Sequence, residues 1–163
     1  MRGFTLIEIL VVLLIVSIMT GIAVFNLPGF ATDDEYRNET DRLLRVLELA
    51  RDESLTQATE LGFRPSKNRY QFYRYDEIQQ TWHLLDQAPF KERQLRRDIR
   101  LELELEGDEF VLNEEDETAP PVMILSSGEM TPFSLTIAND QDVARTLEAD
   151  GFGAIKWLQD SEE

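Results

Sequence analysis

Residues 4–25 read FTLIEILVVLLIVSIMTGIAVF, twenty-two residues with a single charge, Glu8. At about 1.5 Å of rise per residue a helix of that length extends roughly 33 Å, enough to cross the hydrocarbon core of a bilayer. The stretch therefore reads as a transmembrane helix over residues 4–25. Glu8 is the anomaly in it, because an unpaired ionised carboxylate in lipid is strongly disfavoured. Either Glu8 lies near the headgroups or a cation meets it. Arg2 is the sole basic residue before Arg37. Positive charge stays on the cytoplasmic side, so the N-terminus is expected inside and everything after Phe25 outside. The rival reading is a secretory signal peptide. Its apolar core is shorter and carries no acid, and Gly21-Ile22-Ala23 is a poor version of its cleavage site.

Outward from this stretch, Asn26-Leu27-Pro28-Gly29 predicts a kink or break over 26–32, since Pro28 removes a backbone donor. Thr32-Asp33-Asp34-Glu35 reads as a capping box with Thr32 as N-cap. Beyond it Tyr36, Leu43, Leu47, Ala50, Ala58 and Leu61, joined by Leu44 and Leu55, form one apolar face. Arg37, Asp41, Arg45, Glu48 and Asp52 occupy the others, and Gly62 offers a stop. The pattern predicts a long amphipathic helix that needs a sheet to cover its stripe. A coiled-coil seam is the alternative, although it would place Thr40 and Ser54 on the seam.

The remainder reads as β-structure. Tyr70–Tyr75 is aromatic and alternating, and Thr81–Leu85 follows a short polar turn. Ile99, Leu101, Leu103 and Leu105 alternate with Arg100, Glu102 and Glu104, which predicts a strand with one face in a core and one in water. Gly107-Asp108 turns into Phe110-Val111-Leu112. Asn113–Pro121 is acidic, ends in Ala-Pro-Pro and reads as a loop. Val122–Leu125 is an unbroken apolar run suited to a strand covered on both faces. Phe133, Leu135 and Ile137 alternate with Ser134 and Thr136. Ala144–Ala149 and Phe152–Leu158 flank Asp150-Gly151, a two-residue hairpin signal. One helix followed only by strands is an α+β order with antiparallel sheets.

The chain has 163 residues, 16 of them basic and 32 acidic, for a formal charge of −16. Less its anchor, that is the size of one compact domain, placed here at 33–163. Such a charge repels nucleic acid and anionic membrane faces, so no nucleic-acid partner is expected. There is no cysteine, so no disulfide braces the exported part. His83 is the single histidine. A zinc site would have to be built almost wholly from carboxylates, and no Gly-x-Ser-x-Gly elbow exposes a nucleophilic serine. His83 reads as structural and Ser126-Ser127-Gly128 as a turn. No phosphate loop or dinucleotide fingerprint occurs, and neither an enzyme activity, a cofactor nor a metal is expected. Glu114-Glu115-Asp116-Glu117 lacks the ligand spacing of a calcium loop and reads as a solvated acidic loop, with calcium the alternative. Lys91, Arg93, Arg96, Arg97 and Arg100 form a basic patch. It either meets an acidic neighbour or neutralises Glu102 and Glu104 across the sheet.

Gly3-Phe4-Thr5-Leu6-Ile7-Glu8 resembles the processing motif of the type IV pilins and type II secretion pseudopilins. The resemblance implies cleavage between Gly3 and Phe4 by a prepilin peptidase, N-methylation of Phe4, and an assembly role for Glu8. Residues 1–3 would then be a leader peptide. Ser126–Leu135, with Gly128, Glu129, Thr131-Pro132-Phe133 and an apolar strand, is similar to the segment that marks the H-type (GspH/FimT-like) minor pseudopilins. The likeness runs over the anchor, the helix to Leu61 and this segment; residues 63–121 match only in strand order. It implies a pilin-like fold of one long helix packed on two sheets. It also implies a subunit at or near the tip of a periplasmic pseudopilus, held in the inner membrane, that helps export folded proteins. The implied partners are the major subunit, the I, J and K minor types, the prepilin peptidase and the inner-membrane assembly platform. Two alternatives stay open: a FimT-like minor pilin of a type IV pilus, and a membrane-tethered periplasmic binding protein.

Overall fold

The computed structural model describes residues 6–25, 28–105, 108–109, 119–141 and 143–158, with backbone alone for 21–25, 28–33 and 108–109. The chain divides into two compact units, Met1–Arg37 and Asn38–Glu163. The first holds helix α1, Leu6–Phe25, and the start of α2, Pro28–Gln57. The capping box at Thr32 is corrected here, because α2 already begins at Pro28 and Thr32 lies inside it. Proline suits a first helical position, where its missing N–H has no intrahelical partner to lose.

The far end of α2 also differs from the expectation. Ala58 adopts a left-handed φ of 49°, and the Thr59 N–H donates to the Ser54 carbonyl at 3.2 Å. This bond and the left-handed residue close the helix as a Schellman motif does. Gly62 is no helix stop, and Leu61 is no part of the helical face. Both belong to β1, Leu61–Ser66. The 3–4 spacing carries across Ala58 by coincidence, and Gly62 and Pro65 disguise the strand. Pro65 is tolerated because the neighbour on the second side of β1 pairs only with Leu61–Phe63.

The other strands are β2 (Arg69–Asp76), β3 (Thr81–Leu84), β4 (Arg93–Gln94), β5 (Ile99–Leu105), β6 (Asp108–Glu109), β7 (Val122–Ile124), β8 (Phe133–Asn139), β9 (Ala144–Ala149) and β10 (Ile155–Trp157). They form two antiparallel sheets. One has the order β3-β2-β1-β7 with β4 also on β2, and the other runs β10-β9-β8-β5-β6. In the second sheet Leu101 faces Ile137, Leu103 faces Leu135 and Leu105 faces Phe133 across the β5–β8 ladder. The alternation in the sequence thus becomes one continuous buried face. The strand expected at Phe110–Leu112 and the acidic residues Glu114–Glu117 lie outside the described residues.

Two further expectations are corrected. Val122 and Ile124 are buried but Met123 is 41% exposed, so β7 is covered on one face only. Met123 points to the opposite face, where it lines an open groove. The Asp150-Gly151 turn is no two-residue hairpin, because Ala149 pairs with Ile155 and leaves 150–154 as the loop. Asp150 Oδ1 accepts from the Phe152 and Ala154 amides at 2.9 and 3.2 Å, and Gly151 and Gly153 take φ of 84° and 96°. Positive φ at both positions is open to glycine at little cost.

Within the second unit, α2 buries Thr40, Leu43, Val46, Leu47, Ala50 and Ser54. Most of the expected stripe is therefore covered inside one chain, which removes the coiled-coil alternative, while Leu55 stays 41% exposed and Ala58 lies beyond the helix. The two polar members of the stripe are bonded. Arg145 Nη1 donates to Thr40 Oγ1 at 2.8 Å and to Asp41 at 2.9 Å, and Ser54 Oγ donates to the Leu125 carbonyl at 3.1 Å. A buried hydroxyl with a partner costs little. Arg145 also lies 3.6 Å from the Trp157 ring centroid, so β9, β10 and α2 meet at one guanidinium. Phe63 contacts Phe72 at 5.2 Å and Phe133 at 6.4 Å between centroids, and in this way the two sheets share one aromatic core.

Candidate assembly surface

Glu8 lies in the first turn of α1. The described side chains of this helix run from Leu6 to Thr20, and all are exposed. Ser17 and Thr20 donate their hydroxyls back to the Leu13 and Val16 carbonyls at 2.7 and 2.8 Å. Their polar groups are thus satisfied within the helix, which suits an apolar surrounding. Glu8 remains as the one described side chain of α1 with a charge. No helix is long and apolar enough to cross a membrane among the described residues; those side chains stop at Thr20, and fifteen of them span only about 22 Å. Gly3 and Phe4 lie outside the described residues.

A second surface lies in the folded unit, on the segment that resembles the H-type minor pseudopilins. An open groove of about 440 Å³ is lined by the apolar Met123, Leu125, Met130, Pro132 and Phe152 together with the acidic Glu129 and Asp150. One wall is the end of β7 and the turn after it. The Leu125 N–H donates to the Glu129 carbonyl at 2.8 Å and the Gly128 N–H to the Leu125 carbonyl at 2.9 Å. Gly128 sits at a φ of 85°, which makes the turn tight enough to reverse the chain. Ile124 then bridges Met130, and Thr131 closes the register, its N–H donating to the Met123 carbonyl at 2.9 Å. The other wall is the 150–154 loop, tied across by Met130 N–H to the Gly151 carbonyl at 3.0 Å. Phe152 stands at its tip, 83% exposed. A large apolar side chain so placed beside an apolar concavity marks a surface that a partner can cover.

Four of the five residues of the basic patch, all but Arg97, are placed in local pairs. Arg93 forms a two-point ion pair with Glu39, one arm of it at 3.2 Å. Arg96 grips Asp98 at 2.9 and 2.6 Å, Arg100 meets Asp140 at 2.5 Å and Lys91 meets Asp86 at 3.5 Å. Neutralisation is local as one reading expected, but the partners are these acids and not Glu102 or Glu104. The hydrogen bond to Glu39 holds the Arg93 guanidinium above its ordinary range. The Arg96 fork holds the Asp98 carboxyl below its ordinary value. Burial pushes the Tyr70 phenol up, against a hydrogen bond from Arg42 that works the other way. The Arg93–Glu39 pair joins β4 to α2, and none of Arg93, Asp98 and Tyr70 lines the groove beside Phe152.

His83 lies exposed on edge strand β3, 3.1 Å from Thr81 Oγ1. Ser127 Oγ lies 3.3 Å from Glu129 within the turn. The structure does not bring the histidine and the serines together. Among the described residues no group of three or more metal-ligating side chains occurs. Sequence reading missed the groove, because its walls come from residues some twenty positions apart, 130 and 151, and no local pattern joins them. The spacing Gly151-x-Gly153 was the available signal, as two glycines so close fit a loop that must press against something.

Comparison with known proteins adds independent findings. The family model described as type II transport protein GspH matches residues 39–151, which includes the middle of the chain that the motifs left unmatched. The prokaryotic N-terminal methylation motif matches residues 1–24. Type II secretion system protein H of Pseudomonas aeruginosa is 35% identical, over 93% of this chain and 92% of its own length. The protein of the same name from Aeromonas hydrophila is 29% identical, over 99% and 95%. The crystal structure of the minor pseudopilin EpsH from the type II secretion system of Vibrio cholerae superposes with a TM-score of 0.66. It is 23% identical and covers 80% of this chain and 97% of that one.

Proposed function

Since the chain belongs to the GspH family of type II transport proteins and is a minor pseudopilin of the type II secretion system, we propose that it joins the pseudopilus at or near its tip, anchored by residues 4–25. As a pseudopilin it interacts with other pseudopilins and with the secretion machinery. The FimT-like pilus alternative is not favoured by relatives named for type II secretion. One observation carries the proposal. The described apolar side chains of α1 are exposed, while the folded unit encloses a core of its own. The surface of α1 is therefore left for lipid and for neighbouring subunits.

On this reading residues 1–3 are removed, Phe4 becomes the methylated N-terminal residue, and the domain at 33–163 stands in the periplasm with the N-terminus cytoplasmic. The major subunit and the I, J and K minor types are the neighbours, and the prepilin peptidase and the inner-membrane platform process and load the subunit. The role is structural, without a catalysed reaction or a cofactor. Cleavage leaves a cationic amine on Phe4. Glu8 of one subunit meets the amine of its neighbour, since the attraction of opposite charges offsets part of their desolvation in lipid. The groove beside Phe152 takes an apolar side chain of an adjacent pseudopilin. Covering Phe152 contributes about 1.5–3 kcal/mol. Intact-mass analysis of protein from native membranes tests the processing: it should find a chain starting at Phe4 with one added methyl group. A mature N-terminus near Val24 would mean a secretory signal peptide and would overturn the anchored-subunit reading.

A further inference from the structure

The two walls of the groove, already joined by the Met130–Gly151 backbone bond, share a further support beneath them. One turn of α2 presents Arg51, Ser54 and Leu55 toward them. The Arg51 Nε–H donates to the Gly128 carbonyl at 3.2 Å, and the Ser54 hydroxyl is shared between the Arg51 carbonyl at 2.7 Å and the Leu125 carbonyl at 3.1 Å. Leu55 underlies the Gly128 turn so closely that a Cβ there would lie 3.0 Å from its Cδ2. The opposite wall rests on the same arginine. A Cβ at Gly153 would lie 2.2 Å from Arg51 Nε, 2.9 Å from its Cζ and 2.5 Å from the Gly128 carbonyl oxygen. The guanidinium is thus wedged between the turn that makes one wall and the loop that makes the other. Its own ion pair with Asp52 is long, 3.9 Å, and solvent-exposed, so that pair adds little. Gly153 is required here twice over, by its positive φ and by the planar group lying against it.

We propose that Arg51 is the positioning residue of the docking groove: it sets the spacing of the 125–132 and 150–153 walls and so the shape offered to the neighbouring pseudopilin. The inference rests on the groove being a docking surface. A planar guanidinium can lie flat beneath a glycine while donating in its plane, which an ammonium cannot do. The hydrogen bond from a charged donor also gives the turn an anchor that a neutral side chain would not match.

The chain has no cysteine, so a single introduced thiol reports cleanly. Ser126→Cys, exposed on the turn, carries a maleimide–benzophenone in the full-length chain in its native membrane, and ultraviolet light records adducts to other pseudopilins. With Arg51 intact an adduct is expected. Arg51→Ala and Gly153→Ala should each cut it about tenfold, the loss that matches one charged hydrogen bond or one displaced wall. Arg51→Lys should restore it partly, since the ammonium still reaches the Gly128 carbonyl. The protease resistance of the folded unit should stay native in the same samples, which separates positioning from general loss of structure. If Arg51→Ala fails to accumulate, Gly153→Ala carries the test, because it keeps the arginine in the chain while its methyl forces the guanidinium and the 150–153 wall apart. Adduct yields unchanged in both variants overturn the inference. Phe152→Asp tells the two levels apart. If it abolishes the adduct and Arg51→Ala does not, the groove docks but Arg51 does not shape it. If Phe152→Asp leaves the adduct intact, the groove is not the docking surface and both readings fall.

Discussion

A methyl group at Gly62 tests how the middle of the chain is held. A Cβ built there lies 2.1 Å from Pro120 Cγ, 2.9 Å from Pro120 Cβ and 3.1 Å from Trp82 Cζ3. Carbon atoms prefer about 3.5–4.0 Å, so the nearest contact is too short by well over an ångström. The strand cannot retreat, because Gly62 pairs with Tyr73 on one side and Met123 on the other. Pro120 must move instead. It is buried, and the Ala119 carbonyl before it accepts from Arg64 Nη2 at 3.1 Å. Overpacking of this kind costs about 1–3 kcal/mol, which for a domain of this size lowers Tm by roughly 3–15 °C. Thermal unfolding of the full-length Gly62→Ala chain in detergent, followed by circular dichroism, measures it. Pro120→Gly removes the ring that the methyl meets, so the double variant should lose less than the sum of the singles by about 1 kcal/mol or more. A Gly62→Ala chain as stable as the native one, or strict additivity in the pair, would refute the close approach of Pro120 to β1.

Three other outcomes follow from the same geometry. Arg93→Met leaves Glu39, only 18% exposed in its side chain, without its partner and should cost about 1–2 kcal/mol in a chemical denaturation series; Glu39→Gln in the same background should recover part of the loss. Asp98 has a folded-state pKa below its ordinary 3.8, so its contribution is present above that value and is lost as pH falls through the lowered one. The stability of Asp98→Asn should therefore fall less steeply below about pH 4 than that of the native chain, as acid titration of the unfolding midpoint would show. Phe133→Ala removes the ring that contacts Phe63 from the second sheet and should cost about 3–5 kcal/mol by denaturant unfolding.

Periodicity made much of this fold legible. The alternation from Ile99 to Leu105 and from Phe133 to Ile137 became the β5–β8 ladder with its apolar residues facing inward. The helical stripe through Leu43, Leu47 and Ala50 became the buried face of α2. Legibility failed where a tertiary contact replaced a local rule. Gly62 has the look of a helix terminator, yet its lack of a side chain serves the approach of Pro120, more than fifty residues away. Leu61 continued a helical spacing that the left-handed Ala58 had already ended. Val122–Leu125 looked buried on both faces because an unbroken apolar run does not reveal which face the packed sheets leave open. The same holds for the candidate surface. Glu8 could be found because a charge in an apolar run is anomalous by itself. The groove could not, because Met130, Gly151 and Arg51 meet only after the sheets and α2 have packed.

As a working subunit of a secretion filament brought into register by Glu8, this chain should be needed for export, and so should Glu8. The most direct test is removal of the gene from its native cell, with return of either the native sequence or Glu8→Leu, while the folded proteins exported to the medium are assayed. Export should fail without the chain and return with the native sequence. With Glu8→Leu it should stay largely absent, even though the variant is cleaved after Gly3 and its folded unit keeps native protease resistance. Undiminished export in the deleted cell would mean that the chain is not a working subunit, and full recovery with Glu8→Leu would mean that Glu8 does not set its register.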